Sequence, residues 1–172
     1  MIIDLSSFLD DPNELFHFEG KLEGTKIDLG GRNIIISDPI IYEGEVFKLN
    51  GEKSIDIRIS FSYSEACSRC LEPSSHEIKT ALTGKLMEGK EELDSEDEGY
   101  DEILYYQNDI LDPKDYILNQ VIVSLPMKTL CSNNCQGLCP KCGADMNKKK
   151  CDCILEDIDP RLEKLKNFFP KN

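Results

Sequence analysis

At 172 residues, with 40% apolar and 31% charged side chains, the chain is long enough to bury one core and carry a small appendage. No apolar run approaches the roughly 20 residues of a membrane helix, and the opening Met1-Ile2-Ile3-Asp4 lacks the layout of a secretory signal, so a cytosolic protein is expected. The formal charge of −13 opposes tight binding to a long phosphate backbone, so nucleic-acid contact is local or the preferred partner is itself basic.

The residues through Phe18 give no clear pattern. Ile34-Ile35-Ile36 and Ile40-Ile41-Tyr42 read as strands separated by the turn former Ser37-Asp38-Pro39. Asn50-Gly51 then stands between a stretch around Val46-Phe47-Lys48 and a strict alternation of Ile55, Ile57, Ile59, Phe61 and Tyr63 with polar residues. This predicts a hairpin over roughly residues 45–64, because period-two alternation marks a half-buried strand and the dipeptide favours a tight turn. A second alternation runs through His76, Ile78, Thr80, Leu82 and Leu86, so Cys67 and Cys70 sit where one strand hands over to the next.

Residues 88–102 hold nine acidic side chains and one lysine, too little apolar surface to offset ordering, and read as a solvated acidic loop. Asp112-Pro113 is a helix start and Pro126 its stop; between them Ile117, Leu118, Val121, Ile122 and Leu125 form a broad apolar face expected to cover the sheet. A second start, Asp159-Pro160, precedes Leu162, Leu165, Phe168 and Phe169, a short amphipathic helix closed by Pro170. The resulting fold class is α+β: an antiparallel sheet covered by one main helix over residues 1–127, then a cysteine-rich zinc-binding module over 128–172.

Eight cysteines in a reducing compartment are better metal ligands than disulfide partners. Cys139-Pro140-Lys141-Cys142-Gly143 has the form of a zinc knuckle, in which two residues between thiolates let both sulfurs reach one ion and the glycine permits the turn. Cys151-Asp152-Cys153 follows eight residues later and completes a local four-sulfur set. Cys67, Cys70, Cys131 and Cys135 remain, the ligand count of a second site, with a single ion held by some other four as the rival arrangement. His76 is a substitute ligand in principle. Zinc is expected, one or two ions, and iron suits the same thiolate cage. With two divalent ions on eight thiolates the net charge falls to about −17.

There is no glycine-rich phosphate loop, no Gly-x-Ser-x-Gly elbow and no His-Glu-x-x-His, and all-thiolate sites leave no open coordination position, so no catalytic residue is assigned. A thiol redox protein using Cys67 and Cys70 is the enzymatic alternative, weakened because neither Cys-x-x-Cys opens a helix. Lys148, Lys149, Lys150 and Arg161 form the best basic cluster for a phosphate or partner contact, and a zinc ribbon binding nucleic acid is a third reading.

Taken together, Cys67-Ser68-Arg69-Cys70-Leu71-Glu72-Pro73, Leu125-Pro126-Met127-Lys128, the run from Cys131 through Cys135-Gln136-Gly137-Leu138-Cys139 to Gly143, Cys151-Asp152-Cys153 and Asp159-Pro160-Arg161-Leu162 resemble the bacterial large-ribosomal-subunit RNA accumulation proteins in their cysteine-rich form, over roughly residues 55–169. That resemblance implies a non-enzymatic cytosolic factor supporting accumulation of large-subunit (23S) ribosomal RNA. Its implied partner is pre-ribosomal large-subunit RNA or a basic large-subunit ribosomal protein, with no small-molecule substrate and no membrane.

Overall fold

A computed structural model describes residues 2–10, 15–49, 51–89 and 102–153. The elements are β1 (Ile3–Asp4), α1 (Ser6–Asp10), β2 (Phe16–Leu22), β3 (Lys26–Leu29), β4 (Arg32–Ile36), β5 (Ile40–Leu49), β6 (Glu52–Ala66), β7 (Pro73–Glu88), β8 (Ile103–Tyr106), β9 (Ile110–Leu111) and α2 (Lys114–Ser124).

Seven strands form one sheet whose axis is β6. Along one edge β6 pairs first with β5, from Leu49↔Glu52 to Ile41↔Ser60, and then with β4 at Ile36↔Tyr63 and Ile35↔Ser64. Its other edge pairs with β7 along most of its length, from Ser54↔Lys85 to Ala66↔Pro73. These pairs are antiparallel, as are β2–β5 and β3–β4; β8 is the exception, running parallel to β7. The β5–β6 hairpin forms as the alternation predicts, closing at Leu49↔Glu52, with Gly51 at φ +85°, a left-handed conformation that glycine adopts without steric cost.

The alternation sorts side chains between two faces. Ile55, Ile57, Ile59, Phe61 and Tyr63 of β6 point inward with Ile34, Ile36, Ile40, Tyr42, Val46, Leu82 and Leu86, all buried, while Arg58 of β6 and Lys79 of β7 lie exposed on the opposite side. The helix α2 contributes Ile117 and Val121 to this core. Asp112 accepts from the Lys114 N–H at 3.1 Å, and the chain turns extended at Leu125, as the residue before a proline must.

The expectation that one main helix covers the sheet needs correction. At 11 residues α2 is about 16 Å long, whereas β7, at 16 residues, runs about 50 Å. The helix therefore packs beside part of β7, where Gln120 donates to Thr80 and to the Ala81 carbonyl, and the rest of the core is closed by Leu5 and Phe8 around α1 and Leu111 of β9. Part of the predicted helical stripe also stays outside: Ile122 is exposed and Leu118 only partly buried. Most of the acidic stretch 88–102, and the helix expected after Asp159-Pro160, lie outside the described residues. No helix among the described residues is long and apolar enough to cross a membrane.

Candidate metal centres

The β6–β7 hairpin ends in a six-residue tip, Cys67 to Glu72, beyond the Ala66↔Pro73 pair. Cys67 donates its N–H to the Glu72 carbonyl at 2.9 Å and receives the Leu71 N–H on its own carbonyl at 2.9 Å, so the tip curls back on itself and aims both thiols the same way. The Cys139 turn repeats this geometry, since the Gly143 N–H reaches the Cys139 carbonyl at 2.8 Å. Leu71 and Gly143 hold the same position in the two knuckles, at φ +63° and +71°. For leucine that conformation costs roughly 1–2 kcal/mol, against the 0.5–1 kcal/mol of chain entropy that glycine loses on folding. Leu71 is two-thirds exposed, so little packing offsets the strain. Leu71→Gly is thus expected to raise stability by about 0.5–1 kcal/mol with metal content unchanged, which thermal unfolding together with metal analysis checks.

Eight sulfurs gather into two sets. Cys67, Cys70, Cys131 and Cys135 form an inner cluster against the sheet, and Cys139, Cys142, Cys151 and Cys153 an outer one; within each set the sulfurs lie within 4.8 Å of one another. Cys67 Sγ is 3.8 Å from Cys135 Sγ and Cys70 Sγ is 3.6 Å from Cys131 Sγ. Four sulfurs placed tetrahedrally about 2.3 Å from an ion stand about 3.8 Å apart, so the inner set matches the cage such an ion requires. Cys67, Cys70 and Cys135 are buried and pack with Leu130 and Leu138, whereas the outer site is more open, with only Cys139 buried.

The electrostatics fit cation sites. Burial pushes the Cys67 thiol up, but the backbone N–H groups of Cys70, Cys131 and Arg69 outweigh it and bring the thiol down to about 6. Cys139 likewise falls to about 6 through the N–H groups of Cys142 and Lys141. Cys153 is pushed up to about 12, first by its contact with Cys142 and then by burial and the other sulfurs. At Cys70 the Glu72 N–H pulls the other way, yet burial and the three neighbouring thiols raise it to about 12. A set that readily forms one thiolate and resists the rest needs a compensating positive charge to ionise fully.

The segment that carries Cys131 and Cys135 is tied to the hairpin tip. Arg69 Nη1 donates to the Cys135 carbonyl at 2.8 Å, its own carbonyl accepts from Leu138 at 3.1 Å, and Ser68 donates to the Thr129 carbonyl at 2.8 Å. Thr129 is 1% exposed and donates to Glu65 at 2.6 Å, while Glu65 holds Arg32 through two 2.8 Å bonds. Arg32 also donates to the Pro126 carbonyl at 3.0 Å. This part-buried chain fixes the segment that delivers Cys131. Nothing in the cysteine spacing marks Glu65, Thr129 or Arg32; the only sequence signal is a charged residue at the end of an otherwise alternating strand.

Of the predicted partner contacts, Lys148 is engaged by Glu72 and, at 3.6 Å, by Asp145, so it bridges the outer loop to the hairpin tip. Lys149 and Lys150 are exposed, and Arg161 lies outside the described residues. His76 is not in either cluster. Its ring stacks on Tyr63 at 5.5 Å, and its buried Nε2 has no hydrogen-bond partner among the described residues.

Comparison with known proteins places this arrangement. The chain is 32% identical over 99 residues to uncharacterized proteins of Mycobacterium tuberculosis and Mycobacterium bovis, an alignment covering 58% of this chain and 47% of theirs. It is 36% identical over 58 residues to the large ribosomal RNA subunit accumulation protein YCED homolog 1, chloroplastic, of Arabidopsis thaliana, covering 34% of this chain and 18% of that protein. The chain thus spans about half the length of its mycobacterial relatives and less of the plant one. No solved structure matches. The family described as large ribosomal RNA subunit accumulation protein YceD matches residues 55–169, from the start of the β6 alternation through both cysteine clusters, and the chain belongs to that family.

Proposed function

We propose that this protein is a non-enzymatic ribosome-biogenesis factor that supports accumulation of large-subunit ribosomal RNA, with zinc in two structural thiolate sites. The observation that carries the metal half is the pair of four-sulfur clusters, which have the ligand number and spacing of closed tetrahedral sites. The ribosomal half rests on membership of the family. Zinc is favoured over iron because closed four-cysteine sites in small loops are its commonest structural setting; a colourless purified protein with two zinc ions per chain bears this out, and a visible iron absorption refutes it.

The metal sites act as fasteners: the inner one staples the segment after α2 to the hairpin tip, and the outer one shapes the loop beside it. What they present is the cysteine-rich end of the β6–β7 hairpin on a protein of net charge −13, suited to a basic ribosomal protein or to a local RNA contact through Lys149 and Lys150. Cytosolic location goes with this role. A thiol redox role is disfavoured by access: Cys67 is fully buried and Cys70 nearly so, whereas an exchanging thiolate must be reached by its disulfide substrate.

Depletion in the native cell is the test. Mature large-subunit RNA is expected to fall relative to small-subunit RNA, with recovery on expression of the wild-type chain but not of a Cys67→Ser, Cys139→Ser double variant. Unchanged RNA levels after depletion would remove the ribosomal assignment.

A further inference from the structure

The loop closed by the outer cluster, residues 143–150, reaches back to the inner one. Asn147 Nδ2 lies 3.4 Å from Cys135 Sγ, an inner-site sulfur. The orientation of that amide is fixed, because its Oδ1 accepts the Gln136 N–H at 2.7 Å, which leaves the NH2 facing the thiol. Asp145 Oδ1 in turn receives both the Asn147 N–H at 2.9 Å and its Nδ2 at 2.8 Å, holding the side chain from behind. The same loop donates the Met146 N–H to Gly137 at 2.9 Å and sends Lys148 to Glu72 in the hairpin tip. Gly137 stands at φ +73°, and a Cβ there would come within 3.1 Å of the Arg69 carbonyl oxygen, so the two modules meet backbone to backbone.

From these contacts we propose that the two sites form one cooperative metal unit, in which an ion in the outer site orders the 143–150 loop and so holds Asn147 as an outer-shell donor to the Cys135 thiolate of the inner site. This rests on the metal reading given above. Four thiolates around a divalent ion leave a net charge of −2, and a fixed N–H donor to one sulfur stabilises that charge. Loss of outer-shell donors of this kind commonly weakens metal affinity by about 10- to 100-fold. Without the outer ion, the loop is held only by its own short turns and a few solvent-accessible bonds, among them Met146 N–H to Gly137 and Lys148 to Glu72, which leaves Asn147 less firmly placed. Linkage makes the effect reciprocal: an ion in the inner site tightens the outer site by the same factor.

Cobalt(II) titration of the full-length metal-free chain, followed by native mass spectrometry and by thiolate-to-cobalt absorption, tests the coupling. In the wild type the one-ion species is expected to stay well below the half of the chains that two equal, independent sites give at the midpoint, at about a quarter for a 10-fold coupling. Asn147→Ala is expected to weaken the inner site about 10-fold and to make the one-ion species abundant; Asn147→Asp, which keeps an oxygen for the Gln136 N–H but loses the donor, weakens it at least as much. Cys151→Ser with Cys153→Ser lowers inner-site affinity by a similar factor, and Cys131→Ser lowers that of the outer site equally. Two ions taken up by the wild type in independent steps, with inner-site affinity within twofold across the Asn147 variants, would overturn the coupling while leaving the metal sites standing. A wild-type chain that takes up no cobalt would overturn both.

Discussion

Removing the metal is expected to release residues 130–153 from the sheet while β5, β6 and most of β7 stay folded. Beyond Thr129 the described chain is otherwise held by hydrogen bonds such as Arg69 to Cys135 and Leu138 to Arg69 and by little packing: the only strand-like pairing there is the single Leu138↔Asp145 bridge, and the buried apolar contacts reduce to Leu130 and Leu138 against three cysteines. Structural zinc in small modules contributes about 10–16 kcal/mol of binding free energy at neutral pH, far more than those contacts offer. Hydrogen exchange after chelation should therefore show loss of protection at Leu138, Cys139, Gly143 and Met146, with the β6–β7 amides still slow. Acid should act in the same direction. With Cys70 and Cys153 at about 12 in the metal-free chain, loading displaces protons, so affinity falls as pH falls. Unchanged protection at Gly143 and Met146 in a verified metal-free sample would show that packing alone holds the module.

How much of this was legible in the sequence depends on whether the signal is periodic. The β6 and β7 strands could be read because alternate residues meet the core and period two is visible along one chain. The turn at Asn50-Gly51 and the end of α2 before Pro126 are equally local. The strand pairing was not: nothing in Ile34-Ile35-Ile36 says that β4 shares an edge of β6 with β5, because register is a relation between distant segments. The extent of helical cover failed for a related reason, since an apolar stripe reports that a helix packs on something but not how much of it. At the metal centres the local outer set was readable from spacing, whereas the inner set draws on residues more than sixty positions apart and only the fold brings Cys67 to Cys135. Asn147 carries no signal at all, because a single amide becomes a donor to sulfur only through the turn that places it.

Glu65→Ala is expected to destabilise the protein by about 1–3 kcal/mol, the cost of leaving the part-buried Arg32 guanidinium and the buried Thr129 hydroxyl without their acceptor. The carboxylate side chain is 7% exposed, and it holds Arg32 on one side and Thr129 on the other. Because the Thr129 hydroxyl donates to Glu65, the Tyr63 hydroxyl 3.2 Å away must be the donor to Thr129, so the removal disturbs three groups at once. Hydrogen bonds from Arg32 hold the Glu65 carboxyl below its usual range against the opposing effect of burial, with Thr129 assisting. A depressed carboxylate stabilises the fold above its unfolded value of about 4.3 and loses that contribution as pH falls through the lower folded value. The stability difference between wild type and Glu65→Gln should accordingly be widest above pH ~4.3 and narrow below it. Acid release of metal affects both chains, so the difference isolates the carboxylate. A constant gap from pH 7 down to 3 would mean that Glu65 acts through shape rather than charge. Since Thr129 also presents its carbonyl to the Ser68 N–H beside Cys67, the same substitution should loosen the inner site, seen as faster loss of one ion to a chelator. Stability and metal retention would then fall together, because the buried carboxylate is where the sheet and the inner metal site are joined.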